Sequence, residues 1–206
     1  MKRQTILEII VFTLLVAAGA QLRISLQYLP NFAPVAALAL FAGYFFRSRA
    51  VAFAVPVSIM LISDSVIGGY AWWQMGIVYS MLALPVLMRG FLRRHLNFTG
   101  NGIRQAALSL TGLLGCSFAS SVLFFLVTNA ICLGWYEPTF AGVAKCYWQA
   151  LPFFRYTLTG DMVFALATFG SYAVASCLLS GAVLNEASVA ATKLARGNSL
   201  AYTCDT

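Results

Sequence analysis

The segment KCYWQALPFFRYTLTGD, residues 145–161, gathers a thiol (Cys146), several aromatic rings, a guanidinium (Arg155) and a carboxylate (Asp161) at the mouth of a long apolar run. An ionised carboxylate inside a bilayer costs about 2.5 to 3.5 kcal/mol by insertion scales, so Asp161 must be paired, solvated by a cavity or protonated. Arg155 lies six residues before it, whereas side chains that meet on one helix stand three or four apart. The partner of Asp161 is therefore expected on another helix. Asp64, after Ser63, suits either an ion pair with Arg155 or a loop cap. Asn129, after Thr128, offers a donor and an acceptor that can read an amide or carbonyl.

Catalytic constellations are sparse. The single histidine, His95, sits in Arg93-Arg94-His95, far along the chain from these groups, which leaves no material for a histidine relay or a multi-histidine metal site. No glycine-rich phosphate loop is present. The cysteines Cys116, Cys132, Cys146, Cys177 and Cys204 show no CxxC spacing; most read as small core residues, with a disulfide or ligand contact open to Cys132 and Cys146. An intramembrane enzyme built on Asp161 and Cys146 lacks a nameable base. The expectation is no enzyme, no cofactor and no metal.

The elements that must position these residues are transmembrane. The chain of 206 residues is 61% hydrophobic and 9% charged, with mean hydropathy +0.83, more apolar surface than a soluble core can hide. Apolar runs cover residues 6–20, 32–46, 50–63, 74–92, 103–133 and 151–179. Several approach or exceed the roughly 20 residues a helix needs to cross. Taken as six crossings with both termini cytoplasmic, the inner segments hold Lys2, Arg3, Arg47, Arg49, Arg89, Arg93, Arg94, Arg104, Lys193 and Arg196, against Arg23, Lys145 and Arg155 outside. That asymmetry obeys the positive-inside rule and explains the +7 charge without nucleic acid. The expected architecture is all-α: a six-helix transmembrane domain over residues 1–180 and a partly disordered cytoplasmic tail over 181–206. Lys2 and Arg3 followed by an apolar stretch and Ala18-Gly19-Ala20 also resemble a secretory signal, against which Glu8 speaks. Ala33 with Ala37, and Ala39 with Gly43, predict a close approach by the second helix.

In this topology Asn31, Asp64, Trp72, Trp73, Asn129, Trp135, Tyr136, Cys146, Tyr147, Trp148, Arg155 and Asp161 fall on the outer side. Flat rings mixed with a few polar groups suit a pocket for a planar, partly polar small molecule. The competing reading is an interfacial belt of anchors. All four tryptophans on one face favour the pocket.

The stretches NFAPVAALALFAG (31–43), Pro56, SD (63–64), FFLVTN (124–129), YEPTFAGVAKCY (136–147) and LPFFRYTLTGD (151–161) resemble a bacterial family of multi-pass membrane proteins of unassigned function. That family is similar in turn to the substrate-binding S components of energy-coupling factor vitamin transporters. The resemblance covers roughly residues 20–172. It implies a six-helix bundle in the bacterial cytoplasmic membrane that captures a vitamin-like molecule from outside, working with an energy-coupling transmembrane subunit and ATPases or alone. The S components carry an AxxxA patch on their first helix for that coupling; Ala17, Ala18, Gly19 and Ala20 do not form it. A cobalamin-importing relative ligates cobalt through a cysteine; by chemistry Cys146 is the candidate equivalent, with a purely structural thiol as the alternative. The alternative is an accessory protein whose outer aromatic loops bind a partner subunit or membrane lipid.

Overall fold

A computed structural model of the protein describes the backbone of residues 2–96 and 103–201, and the side chains of 4–96 and 104–178. Every regular element among them is helical. Helix α1 spans Lys2–Ser25, α2 Val35–Phe45 and α3 Arg49–Ile67. Next, α4 (Trp72–Ala83), a 3-10 turn (Leu84–Met88) and α5 (Arg89–His95) follow one another. Helix α6 covers Ile103–Cys132, a short 3-10 turn Leu133–Trp135, and α7 Phe140–Ala201.

Five of the described segments are long and apolar enough to cross a bilayer: Gln4–Ser25, Arg49–Ile67, Trp72–His95, Arg104–Trp135 and Phe140–Leu178. Their outward surfaces carry Ile6, Leu7, Ile9, Ile10, Leu14, Leu61 and Leu166 exposed, a cost in water that disappears in lipid. This is a multi-pass membrane protein. The six apolar runs of the sequence are all helical, but the second is not membrane-length. Helix α2 has 11 residues and extends about 16 Å at 1.5 Å per residue, against about 30 Å of hydrocarbon.

Helix α2 is instead the core. Every residue from Val35 to Gly43 is buried, and α1, α3, α4, α5 and α6 all pack on it. On its remaining side Phe169 of α7 meets the rings of Phe41 and Tyr44, edge-on to Phe41 at 5.3 Å between centroids. Small residues permit this crowding, as their spacing foretold: a Cβ on Gly43 would stand 2.8 Å from the Val86 carbonyl oxygen, so only glycine lets α2 lie against the 3-10 turn. Pro85 at the head of that turn removes a helical donor and breaks the fourth apolar run into α4 and α5. Pro56, by contrast, sits within continuous α3.

The C-terminal end of α2 is closed by arginines. Arg93 donates to the carbonyls of Tyr44 (2.9 Å) and Phe46 (2.6 Å), and Arg89 to that of Arg47 (2.8 Å). Helix-end carbonyls have no intrahelical donor, and two cations there also answer the negative end of the dipole. Part of the basic excess read as a topology signal thus also holds the core helix.

Two compact units divide at Phe169 and Gly170. In the second, α7 runs on through the 180/181 boundary drawn from sequence. The partly disordered tail expected over 181–206 lies, for its side chains and for the backbone of 202–206, outside the described residues.

Candidate functional site

At the end of the bundle formed by the 26–34, 68–71 and 133–139 connections, a cavity of about 460 Å³ opens between the helices. Its walls carry Arg23, Asn31, Asn129, Thr157 and Asp161, together with Tyr70 and the rings of Phe32, Phe124, Phe125, Phe153 and Phe154. Three of the twelve candidates named from sequence, Asn31, Asn129 and Asp161, therefore face one hollow.

Asp161 is 4% exposed. One carboxylate oxygen accepts a 2.6 Å hydrogen bond from Ser121 of α6, the partner from another helix that the spacing called for. Among the described residues no cation lies within ion-pair distance of it. Asn129 donates its amide to the Phe125 carbonyl at 2.7 Å, which leaves its side-chain oxygen as an acceptor. Asn31 has φ of 60°, a left-handed backbone that asparagine tolerates better than most residues. It reverses the chain just before Pro34 starts α2.

Asp64 pairs with Arg23 of α1, at 2.5 Å, and not with Arg155. The same guanidinium nitrogen donates to Ser63, and the other oxygen of Asp64 accepts from Tyr79 at 2.7 Å. The side chain of Asp64 is 4% exposed and that of Arg23 17%, so the pair is largely desolvated and ties α1, α3 and α4 together beside the cavity. Burial, and after it the Asp64 carboxylate, raise the pKa of Tyr70 above its ordinary value, while Arg23 opposes them.

The remaining candidates lie elsewhere. The segment 140–150, which the apolar runs 103–133 and 151–179 left between them as a connection, is the start of α7, and on a helix successive residues point about 100° apart. Cys146 is accordingly buried, its thiol 3.6 Å from the Asn129 carbonyl. Tyr147 donates to the Leu126 carbonyl at 2.9 Å, and Trp148 is 75% exposed. Cys132 and Cys146 are both free thiols. Trp72 and Trp73 are exposed on the first turn of α4. Trp135 and Tyr136 line a second, more open depression with Glu137, Lys145 and Gln149, and Tyr136 donates to Gln149 at 2.6 Å. Arg155 is exposed and lies over the ring of Tyr156 at 5.2 Å.

Sequence reasoning missed Arg23, Tyr79, Ser121 and the phenylalanine walls. Arg23 was legible: it and Asp64 fall at the same end of the first and third apolar runs, and each lacked a neighbour of opposite charge. Ser121 belongs to a run of serines on α6, Ser117, Ser120 and Ser121, all buried, a polar stripe on a lipid-facing sequence.

No curated protein and no solved structure matches the chain. Over residues 3–190 it matches DUF6580, described as a family of unknown function, and the chain belongs to that family.

Proposed function

We propose that the protein is a membrane substrate-binding subunit or solitary transporter that captures a vitamin-like small molecule from the extracytoplasmic side. The observation that carries this reading is the cavity: it is of ligand size, opens at a helix-end face, and contains a buried carboxylate whose second oxygen has no described partner. A polar group of that kind is expensive to keep in a structural core and useful in a binding site. The arginines Arg47, Arg49, Arg89, Arg93, Arg94 and Arg104 gather toward the opposite end, which by the positive-inside rule supports reading the cavity end as the outer one. The six-crossing bundle and S-component-like mode of action inferred from the sequence motifs are part of this proposal, as is residence in a bacterial cytoplasmic membrane.

The test is saturable binding of a panel of vitamins and related heterocycles to the purified protein, read by thermal shift. Thr157→Trp, which projects a large ring into the cavity, is expected to abolish binding, whereas Arg155→Ala and Trp135→Ala leave it within about twofold. A panel without any shift, or binding indifferent to Thr157→Trp, would remove this reading.

A second reading has its own observation. Trp72, Trp135, Phe140 and Trp148 are 84%, 68%, 90% and 75% exposed, more ring surface than the cavity uses. These rings suit anchorage in the lipid interface or contact with a partner subunit. Co-purification of a stable membrane partner, lost on replacing them with serine, supports an accessory role.

A further inference from the structure

We infer that the compound held in this cavity is an organic cation, a protonated or quaternary amine on a flat apolar body. The inference rests on the capture reading above and deepens it. Three features of the walls point the same way.

The first is charge. The cavity is lined by one cationic side chain, Arg23, and one anionic one, Asp161, which at first sight balance. They do not, because Arg23 is already engaged by Asp64. The Arg23–Asp64 pair is neutral as a unit, leaving the Asp161 carboxyl group without a cationic partner in the hollow. A cationic ligand would hold it ionised and pair with it, an anionic one would meet no cation there, and a neutral one would leave it as it stands.

The second is depth. The hydroxyl on Asp161 comes from Ser121, eight residues before Asn129 on α6, about 12 Å farther along the helix. The carboxylate is thus at the floor, where bulk water competes least and pairing with a cation gains most. Ser121 satisfies one of its oxygens. The other is free to meet a ligand ammonium.

The third is the rest of the wall. Phe32, Phe124, Phe125, Phe153 and Phe154 offer ring surfaces without a hydrogen-bonding handle. A ring face is the negative end of its quadrupole and attracts cations, quaternary ammonium groups above all. Phe125 and Phe154 stand 4.7 Å apart, tilted, and so present a continuous aromatic surface. Phenylalanines around one carboxylate solvate a soft cation well and a carboxylate or phosphate poorly.

The experiment uses the full chain in lipid nanodiscs and three probes of one shape: 2-naphthylmethyl-trimethylammonium, 2-naphthylmethanol and 2-naphthylacetate. Calorimetric titration is expected to give saturable binding of the cation, at least about tenfold tighter than the alcohol, with the acetate weakest. Asp161→Asn keeps the shape and the Ser121 hydrogen bond but not the charge. It is expected to weaken the cation about tenfold or more and leave the alcohol within about twofold; Arg155→Gln changes neither. Acetate or alcohol binding as tightly as the cation overturns the inference, as does full cation affinity in a folded Asp161→Asn. In either case saturable binding blocked by Thr157→Trp leaves the capture reading intact. If no probe binds, the inference falls, and the capture reading is decided by the vitamin panel. The charge ranking is read on the unaltered protein and so stands whether or not the variants fold.

Discussion

The Arg23–Asp64 pair shows how a charge is tolerated at this depth: each side chain is the other's solvent, with Ser63 and Tyr79 satisfying part of what remains. Removing one member strands the other, so Arg23→Met is expected to destabilise the protein by about 3 kcal/mol. Adding Asp64→Leu should recover part of that loss, which a double-mutant cycle in detergent measures. Asp64→Asn should also bring Tyr70 down toward its ordinary pKa, seen in alkaline titration of labelled tyrosine. A phenol whose pKa is raised in the folded state supports folding fully below its unfolded value of about 10 and less above it, so the Tyr70 contribution is lost as pH climbs beyond that point. Asn31 separates backbone from ligand roles: Asn31→Gly preserves the left-handed turn and should leave stability within about 0.5 kcal/mol, whereas Asn31→Val should cost about 1 to 2 kcal/mol. If Asn31 reads the ligand, the glycine variant loses affinity at unchanged stability. At this scale the sequence was half legible. Gly142, Cys146, Ala150, Thr157, Asp161 and Ala165 form one buried stripe at helical spacing, so Asp161 faces inward by periodicity alone. The same arithmetic turns Arg155 about 120° away from it, and only the assumption that outer residues share a pocket kept it among the candidates.

At the scale of elements, α2 decides the architecture. Its apolar, small-residue sequence announced tight packing, and Gly43 against Val86 is that packing. Gly43→Leu should therefore destabilise by about 3 kcal/mol or displace the 3-10 turn, since a backbone carbonyl cannot move aside as a side chain can. The arginines at its C-terminal end make a second prediction. Arg93→Gln removes the charge from two hydrogen bonds to the Tyr44 and Phe46 carbonyls and should cost about 2 kcal/mol. Arg94→Gln, outside those hydrogen bonds, should cost little, and the difference is read in thermal unfolding. What periodicity did not disclose was that 140–150 is helical. Pro138 and the polar residues around it mark a loop well, but they do not show that the loop ends at Thr139, with α7 beginning at Phe140; the rings that follow then diverge around a helix.

For the molecule as a whole, hydropathy alone established a multi-pass helical membrane protein, because 61% apolar composition admits little else. Function was less legible: a cavity depends on which faces meet, and aromatic residues obey the same spacing whether they line a hollow or anchor in an interface. The proposed six-crossing topology carries a direct expectation. A cysteine replacing Gln27 or Gly69 should be labelled by an impermeant maleimide from outside intact cells, and one replacing Ser48 only after permeabilisation. The brevity of α2 bears finally on biogenesis. As this helix leaves the ribosome and enters the translocon, the elements that will surround it are still unsynthesised, and Arg89 and Arg93, which will satisfy its last carbonyls, are more than forty residues behind. A segment of eleven residues makes a poor independent insertion unit. It must be sheltered by α1 and the incoming α3, and it reaches its final depth only when the chain around Pro85 arrives. A nascent chain halted before Arg89 should therefore remain sensitive to protease at the 26–34 connection, and one halted after α5 should not.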